Sequence, residues 1–81
     1  MVKAKFFGLL RLDLKSAGME CEAATVEELL TKVAASYPIS VAELRNLIII
    51  VRGKNISELK RFKTELQAGD EVMFMNPVSG G

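Results

Sequence analysis

The chain has no histidine and no tryptophan, a single cysteine and only two prolines among its 81 residues. Each scarcity removes a class of chemistry. Histidine is the commonest general base near neutral pH and the commonest metal ligand, so its absence excludes the ordinary nucleophilic triads and the usual zinc sites. One cysteine forms no disulfide within the chain. Cys21 also lacks a histidine to activate it, and it sits where Met19, Cys21 and Ala23 alternate with Glu20 and Glu22. That alternation marks it as a buried structural thiol on the apolar side of a strand. Long apolar runs are missing too. Leu47 to Val51 is the longest, far short of the ~20 residues of a spanning helix, and the N-terminus carries no signal-peptide pattern. Charge of either sign fails to dominate: 11 basic residues face 10 acidic ones, interspersed, for a net +1. Broad attraction to nucleic acid or to an anionic membrane is therefore not expected. The expectation is one soluble, cytoplasmic domain. A chain of this size buries only about 60 to 65% of its unfolded surface, which leaves little room for an enclosed active site.

What is present is a clear succession of elements. Residues 2–10 read as a strand, with Val2, Ala4 and Phe6 toward a core and Lys3, Lys5, Phe7 and Leu9 on the other face. Arg11 to Gly18 reads as the polar connection of a hairpin leading to a second strand over Gly18 to Ala23. Thr25-Val26-Glu27-Glu28 has the form of a capping box, Thr25 as N-cap and Glu28 reaching back. Behind it Val26, Leu29, Leu30, Val33 and Tyr37 make one apolar stripe of a helix that Pro38 stops. Ser40 to Glu43 repeats the capping pattern before a shorter helical turn ending near Asn46. Leu47 to Val51 is β-branched and apolar on both faces, as in a strand whose second face is also covered. Ile56 to Leu66 has irregular apolar anchors and reads as a short strand or helical turn with a loop. The cations Arg52, Lys54, Lys60, Arg61 and Lys63 of this region read as a solvated rim, with a dock for an acidic partner as the alternative.

The last thirteen residues organise the rest. Gly69-Asp70 turns the chain, Val72 to Met75 form a strand, and Asn76-Pro77 releases it, because proline has no amide hydrogen for a ladder. Two glycines without Cβ atoms then make a slender end, suited to entering something narrow. This divides the chain into a domain over residues 1–76 and a flexible tail over 77–81. The element order suits a single mixed sheet with one main helix across one face, an α+β fold. With the first and last strands side by side in the middle, Val72 and Phe74 would face the helix. Met73 and Met75 would then lie beside Phe7 and Leu9 as an outward apolar patch.

These residues resemble a known family, the small sulfur-carrier proteins of ubiquitin-like β-grasp fold, with the match strongest to the small subunit of molybdopterin synthase and a relation to the thiamine-pathway carrier. The resemblance rests on Phe6-Phe7-Gly8-Leu9-Leu10-Arg11, on Thr25-Val26-Glu27-Glu28-Leu29-Leu30, on Val51-Arg52-Gly53, and on Gly69-Asp70-Glu71-Val72 leading to Pro77-Val78-Ser79-Gly80-Gly81. Two positions depart from the family's pattern. Asn76 stands where the first of two prolines is common, and Arg52 stands where asparagine is usual. The resemblance implies a β-grasp sheet of four to five strands and a non-catalytic, sulfur-carrying subunit that binds no cofactor of its own. It implies that an E1-like adenylyltransferase uses ATP to activate the Gly81 carboxylate, that Gly80 and Gly81 are the reacting end, and that a sulfur donor converts the acyl-adenylate to a thiocarboxylate. It further implies that Phe7, Arg11, Met73, Met75, Pro77, Val78 and Ser79 contact partners, among them a molybdopterin synthase large subunit, with no nucleic acid and no membrane involved. Relatives that serve thiamine, cysteine or tRNA thiolation, and relatives joined to lysines through the terminal glycine, are the alternatives. A passive binding module would leave the Gly-Gly ending without a purpose.

Overall fold

Alternation along the first and last strands sets the architecture. The computed structural model describes residues 1–77. Strand β1 (Val2–Phe6) buries Val2, Ala4 and Phe6, and β5 (Glu71–Met75) buries Val72 and Phe74, so both put every second residue into one core. They lie side by side and parallel, with Ala4 opposite Val72 and Phe6 opposite Phe74. Around this central pair, β2 (Gly18–Cys21) pairs antiparallel with β1, β3 (Ile48–Val51) pairs antiparallel with β5, and β4 (Lys54–Asn55) closes the far edge. The order is β2-β1-β5-β3-β4. Between the elements fall helices α1 (Gly8–Leu14), α2 (Val26–Ser36) and α3 (Val41–Arg45), and two short 3-10 turns at Ile56–Glu58 and Arg61–Lys63.

Helix α2 follows its sequence signature closely. Val26, Leu29, Leu30 and Val33 are buried against the sheet, and Thr25 Oγ1 accepts from the Glu28 N–H at 3.2 Å. The expected return bond from the Glu28 carboxylate is not formed among the described residues. Tyr37, extended before Pro38, ends the helix. Its ring meets Phe6 edge to face at 5.2 Å, and its hydroxyl bonds Ser16 Oγ at 2.8 Å and donates to the Gly18 carbonyl at 3.2 Å. Phe6 also packs against Phe74. Each such ring taken out of water is worth roughly 1.5–3 kcal/mol, so this aromatic trio is a large part of what fixes the helix on the sheet.

Four sequence expectations need correction. The first strand stops at Phe6 and not at residue 10, because Gly8 takes a φ of +63° and turns the chain into α1. The stretch from Arg11 to Gly18, expected as a polar hairpin connection, is mostly that helix. It inserts Leu10 and Leu14, one turn apart, into the core and ends at Lys15 in the left-handed region. Leu9 consequently belongs to α1 and not to a sheet face. Finally, β3 begins at Ile48, where Ile49 and Val51 are buried and Ile48 and Ile50 are half-buried on a face that, among the described residues, no helix covers. Every buried side chain of α1, α2 and α3 joins the one core on the opposite side. The second strand likewise ends at Cys21 rather than Ala23.

Candidate functional site

The uncovered sheet face is built by the odd residues of β1 and β5 and the even residues of β3. Register places Lys5, Met73 and Ile50 in one row across the sheet, and Met75 beside Ile48 in the next. Phe7 continues β1 by one extended residue, and its N–H donates to the Phe74 carbonyl at 3.0 Å, which sets Phe7 alongside Met75. Four half-buried aliphatic side chains, Ile48, Ile50, Met73 and Met75, thus form a continuous apolar strip with Phe7, 39% exposed, at its end. Thioethers on such a strip adapt easily to a partner's shape. Charge borders the strip on one side. Lys5 Nζ lies 2.8 Å from Glu71 Oε1, and Lys3 pairs with Glu20 at 3.7 Å. The hydrogen bond from Lys5, reinforced by its charge, holds the Glu71 carboxyl below the usual carboxylate range.

Phe7 and Arg11 are one helical turn apart at the start of α1, and with Lys5 and Ala17 they line a shallow cavity of about 210 Å³. The structure therefore brings together four of the residues singled out as partner-binding, Phe7, Arg11, Met73 and Met75, around the C-terminal ends of β1 and β5. Leu9 lies elsewhere, exposed on α1 together with Leu12. Pro77 is exposed just beyond β5. The remaining singled-out positions, Val78, Ser79, Gly80 and Gly81, lie outside the described residues.

Sequence reasoning missed three contributors. The apolar run predicts a doubly covered strand for Ile48 and Ile50, although their parity with Met73 and Met75 follows once β3 is placed beside β5. The Lys5–Glu71 pair depends on the parallel pairing of chain ends nearly the whole sequence apart. Asn76 is the third: its Oδ1 accepts from the Leu10 N–H at 2.8 Å. No local pattern announces a bond of that span.

Two other groups stay outside this site. Cys21 is half-buried and packs against the core; burial pushes its thiol up, with Lys32 opposing and Glu22 and Glu28 adding to the rise. The basic stretch is mixed in role. Arg52 pairs with Asp70 and donates to the Glu65 carbonyl at 3.3 Å, while Lys54, Lys60, Arg61 and Lys63 are exposed. Among the described residues, no helix is long and apolar enough to cross a membrane.

Residues 4–81 match the sequence profile of the ThiS family. Among solved structures, the fold is similar to that of small archaeal modifier protein 1 from Methanosarcina acetivorans, with a TM-score of 0.82 and 25% identity over 99% of this chain and 95% of that one. It is also similar to a chain of the BexX/CysO complex from Amycolatopsis orientalis, at a TM-score of 0.84 and 21% identity with both chains covered in full. A third similar chain belongs to the complex of subunits 1 and 2 of molybdopterin-converting factor from Helicobacter pylori, at 0.66 and 22% over 99% of this chain and 97% of that one. Curated protein sequences gave no match. The five-stranded mixed sheet with its helices is thus the ubiquitin-like β-grasp that the motifs led one to expect.

Proposed function

The chain belongs to the ThiS family, within the ubiquitin-like sulfur carriers and modifiers, and on that premise we propose that it carries sulfur as a thiocarboxylate on Gly81 and delivers it to a molybdopterin precursor. One observation supports this reading above the others. β5 carries both the apolar strip of Met73 and Met75 and, directly after Asn76 and Pro77, the segment that leads to Gly80 and Gly81. A partner seated on the strip is thereby brought to the terminal glycines.

The chemistry assigned to Gly81 runs in two balanced steps within a partner enzyme. A carboxylate oxygen attacks the α-phosphorus of ATP, expelling pyrophosphate and leaving an acyl-adenylate. A hydrosulfide-level donor then adds to the acyl carbon, AMP departs, and the thiocarboxylate remains. Its sulfur is soft, nucleophilic and ionised at neutral pH, so it can attack an electrophilic carbon of the acceptor. ATP is bound by the adenylyltransferase and not by this chain. Phe7, Met73 and Met75 give the docking contact its apolar area, Arg11 its cation, and Pro77, Val78 and Ser79 line up the glycines in the partner's channel. A cytoplasmic location fits this reading, whose chemistry draws on ATP and reduced sulfur.

A second reading has its own support. The similarity at 25% identity to a protein named as a modifier favours attachment through Gly81 to lysine amines, which begins with the same acyl-adenylate. Affinity capture from native lysate with intact mass spectrometry separates the two. The carrier reading expects a fraction of the chain with one oxygen replaced by sulfur, co-purifying with an adenylyltransferase and a synthase large subunit. Isopeptide adducts on lysines without any sulfur-bearing form would overturn it in favour of the modifier.

A further inference from the structure

We propose that Asn76 is a positioning residue: its side-chain amide ties the root of the C-terminal segment to the first turn of α1 and so sets the direction in which the terminal glycines leave the fold. The kinetic part of this inference rests on the sulfur-carrier reading. Helix α1 has seven residues, and its N-cap, Phe7, offers no side-chain acceptor to the free N–H groups of the first turn. The bond that an N-cap Ser, Asp or Asn makes to the third helical residue is made here by Asn76 Oδ1 to Leu10, across a sequence separation of 66. Asn76 follows Met75, the last residue of β5, without a spacer. Pro77 follows in turn, with φ locked near −65° and the residue before it restricted to extended backbone. A strand end, a long-range hydrogen bond and a proline thus act on three successive residues.

The geometry gives this clamp a purpose beyond stabilising a short helix. Phe7 is the N-cap of α1 and Arg11 lies within it, and both line the cavity at the end of the apolar strip. Through Asn76 the docking residues and the tail root become parts of one rigid piece. A partner that grips the former finds the latter in a fixed place, which raises the effective concentration of the reacting end. A tail rooted in a free loop would have to be ordered at each encounter, and fixing backbone is costly at every residue. Glycine beyond the root supplies slenderness, so direction has to come from before it.

The test uses the full chain with Asn76→Ala and Asn76→Asp, the latter keeping an acceptor oxygen. Without any partner, the Leu10 amide in Asn76→Ala should exchange with solvent about fivefold faster, the effect of losing a typical capping bond, and the ¹⁵N order parameter at position 76 should fall. Asn76→Asp should preserve both. Unchanged Leu10 exchange in Asn76→Ala overturns the proposal whatever the protein's function. With the adenylyltransferase, ATP and a temperature well below unfolding, thiocarboxylate formation by Asn76→Ala should show kcat lowered by about five- to tenfold, since small misplacements of a reacting group are costly. KM should stay within about twofold, because docking area is untouched, and Asn76→Asp should recover most of kcat. A cap that served α1 alone would leave kcat unaltered in the folded variant, and that result overturns the positioning role. Should wild-type protein release no pyrophosphate, the carrier reading fails by itself, and the exchange and relaxation measurements still decide whether Asn76 anchors the root.

Discussion

Two glycines at the ends of the α1 connection differ in what they exclude. Gly8 has a φ of +63° and open space where a Cβ would stand, so Gly8→Ala meets only the left-handed backbone penalty, about 1–2 kcal/mol. Gly18 is tighter: a Cβ there would overlap the carbonyl oxygen of Ala4 in β1, which central pairing on both sides prevents from moving. Gly18→Ala should therefore cost roughly 3 kcal/mol or more, as overpacking added to strain. Urea unfolding of the two variants tests the order, and an equal loss would show that β1 yields. Cys21 gives a pH signature at the same scale. Its thiol titrates above the ordinary value because burial penalises the thiolate. An acid raised in the folded state binds its proton more tightly there than in the unfolded chain, so stability is undiminished at low pH. It declines once pH rises past the titration of the unfolded thiol. The stability of wild type relative to Cys21→Ser should fall along that alkaline limb, and iodoacetamide should alkylate native Cys21 more slowly than the denatured chain. A flat difference across the limb would place the thiol in solvent.

At the scale of elements, legibility followed the reach of the determining contacts. α2 was plain in the sequence because Thr25 and the spacing of Val26, Leu29, Leu30 and Val33 act within three turns. The parity of β5 was equally plain, since a strand of period two commits Val72 and Phe74 to one face and Met73 and Met75 to the other. α1 was not legible. Leu10, Leu12 and Leu14 alternate as strand residues would, and its capping oxygen arrives from Asn76 at the far end of the chain. The coverage of β3 was overestimated for a related reason: apolar Ile48 and Ile50 signal burial, whether by a second layer or by a partner. These elements yield a contrast in mutants. Met75→Asp and Phe7→Asp place a carboxylate on the uncovered face, where water solvates it in the free protein. Each should shift Tm by less than about 8 °C, the upper end expected for a 1 kcal/mol change in a domain this small. Each should also weaken capture of the adenylyltransferase at least tenfold, because docking would bury that charge unpaired. A collapse of Tm with unaltered capture would put these side chains in the core.

For the whole molecule, the proposed division of labour is that the fold recognises and the terminus reacts. A peptide of the last eight residues should then be a poor substrate for adenylation, since its few small side chains cannot offset an ordering cost of ~1 kcal/mol or more per residue. The sharper prediction concerns the glycines themselves. The core is complete with Phe74 and the described chain is anchored by Asn76, so changes at positions 80 and 81 should leave folding intact. Gly80→Val adds a β-branched side chain and narrows the allowed φ and ψ, which obstructs passage through a channel sized for backbone. Removal of Gly81 leaves a carboxylate but withdraws it by about 3.3–3.6 Å, one extended residue, where a misplacement of about 1 Å already costs roughly a hundredfold. Both variants should show native circular dichroism and wild-type capture of the partner, while thiocarboxylate formation, followed by intact mass with partner, ATP and a sulfur source, falls at least about a hundredfold. Wild-type loading of either variant would mean that sulfur does not travel on Gly81. Loss of capture along with loading would instead assign the glycines to recognition, and would remove the separation between docking face and reacting end on which the proposed mechanism depends.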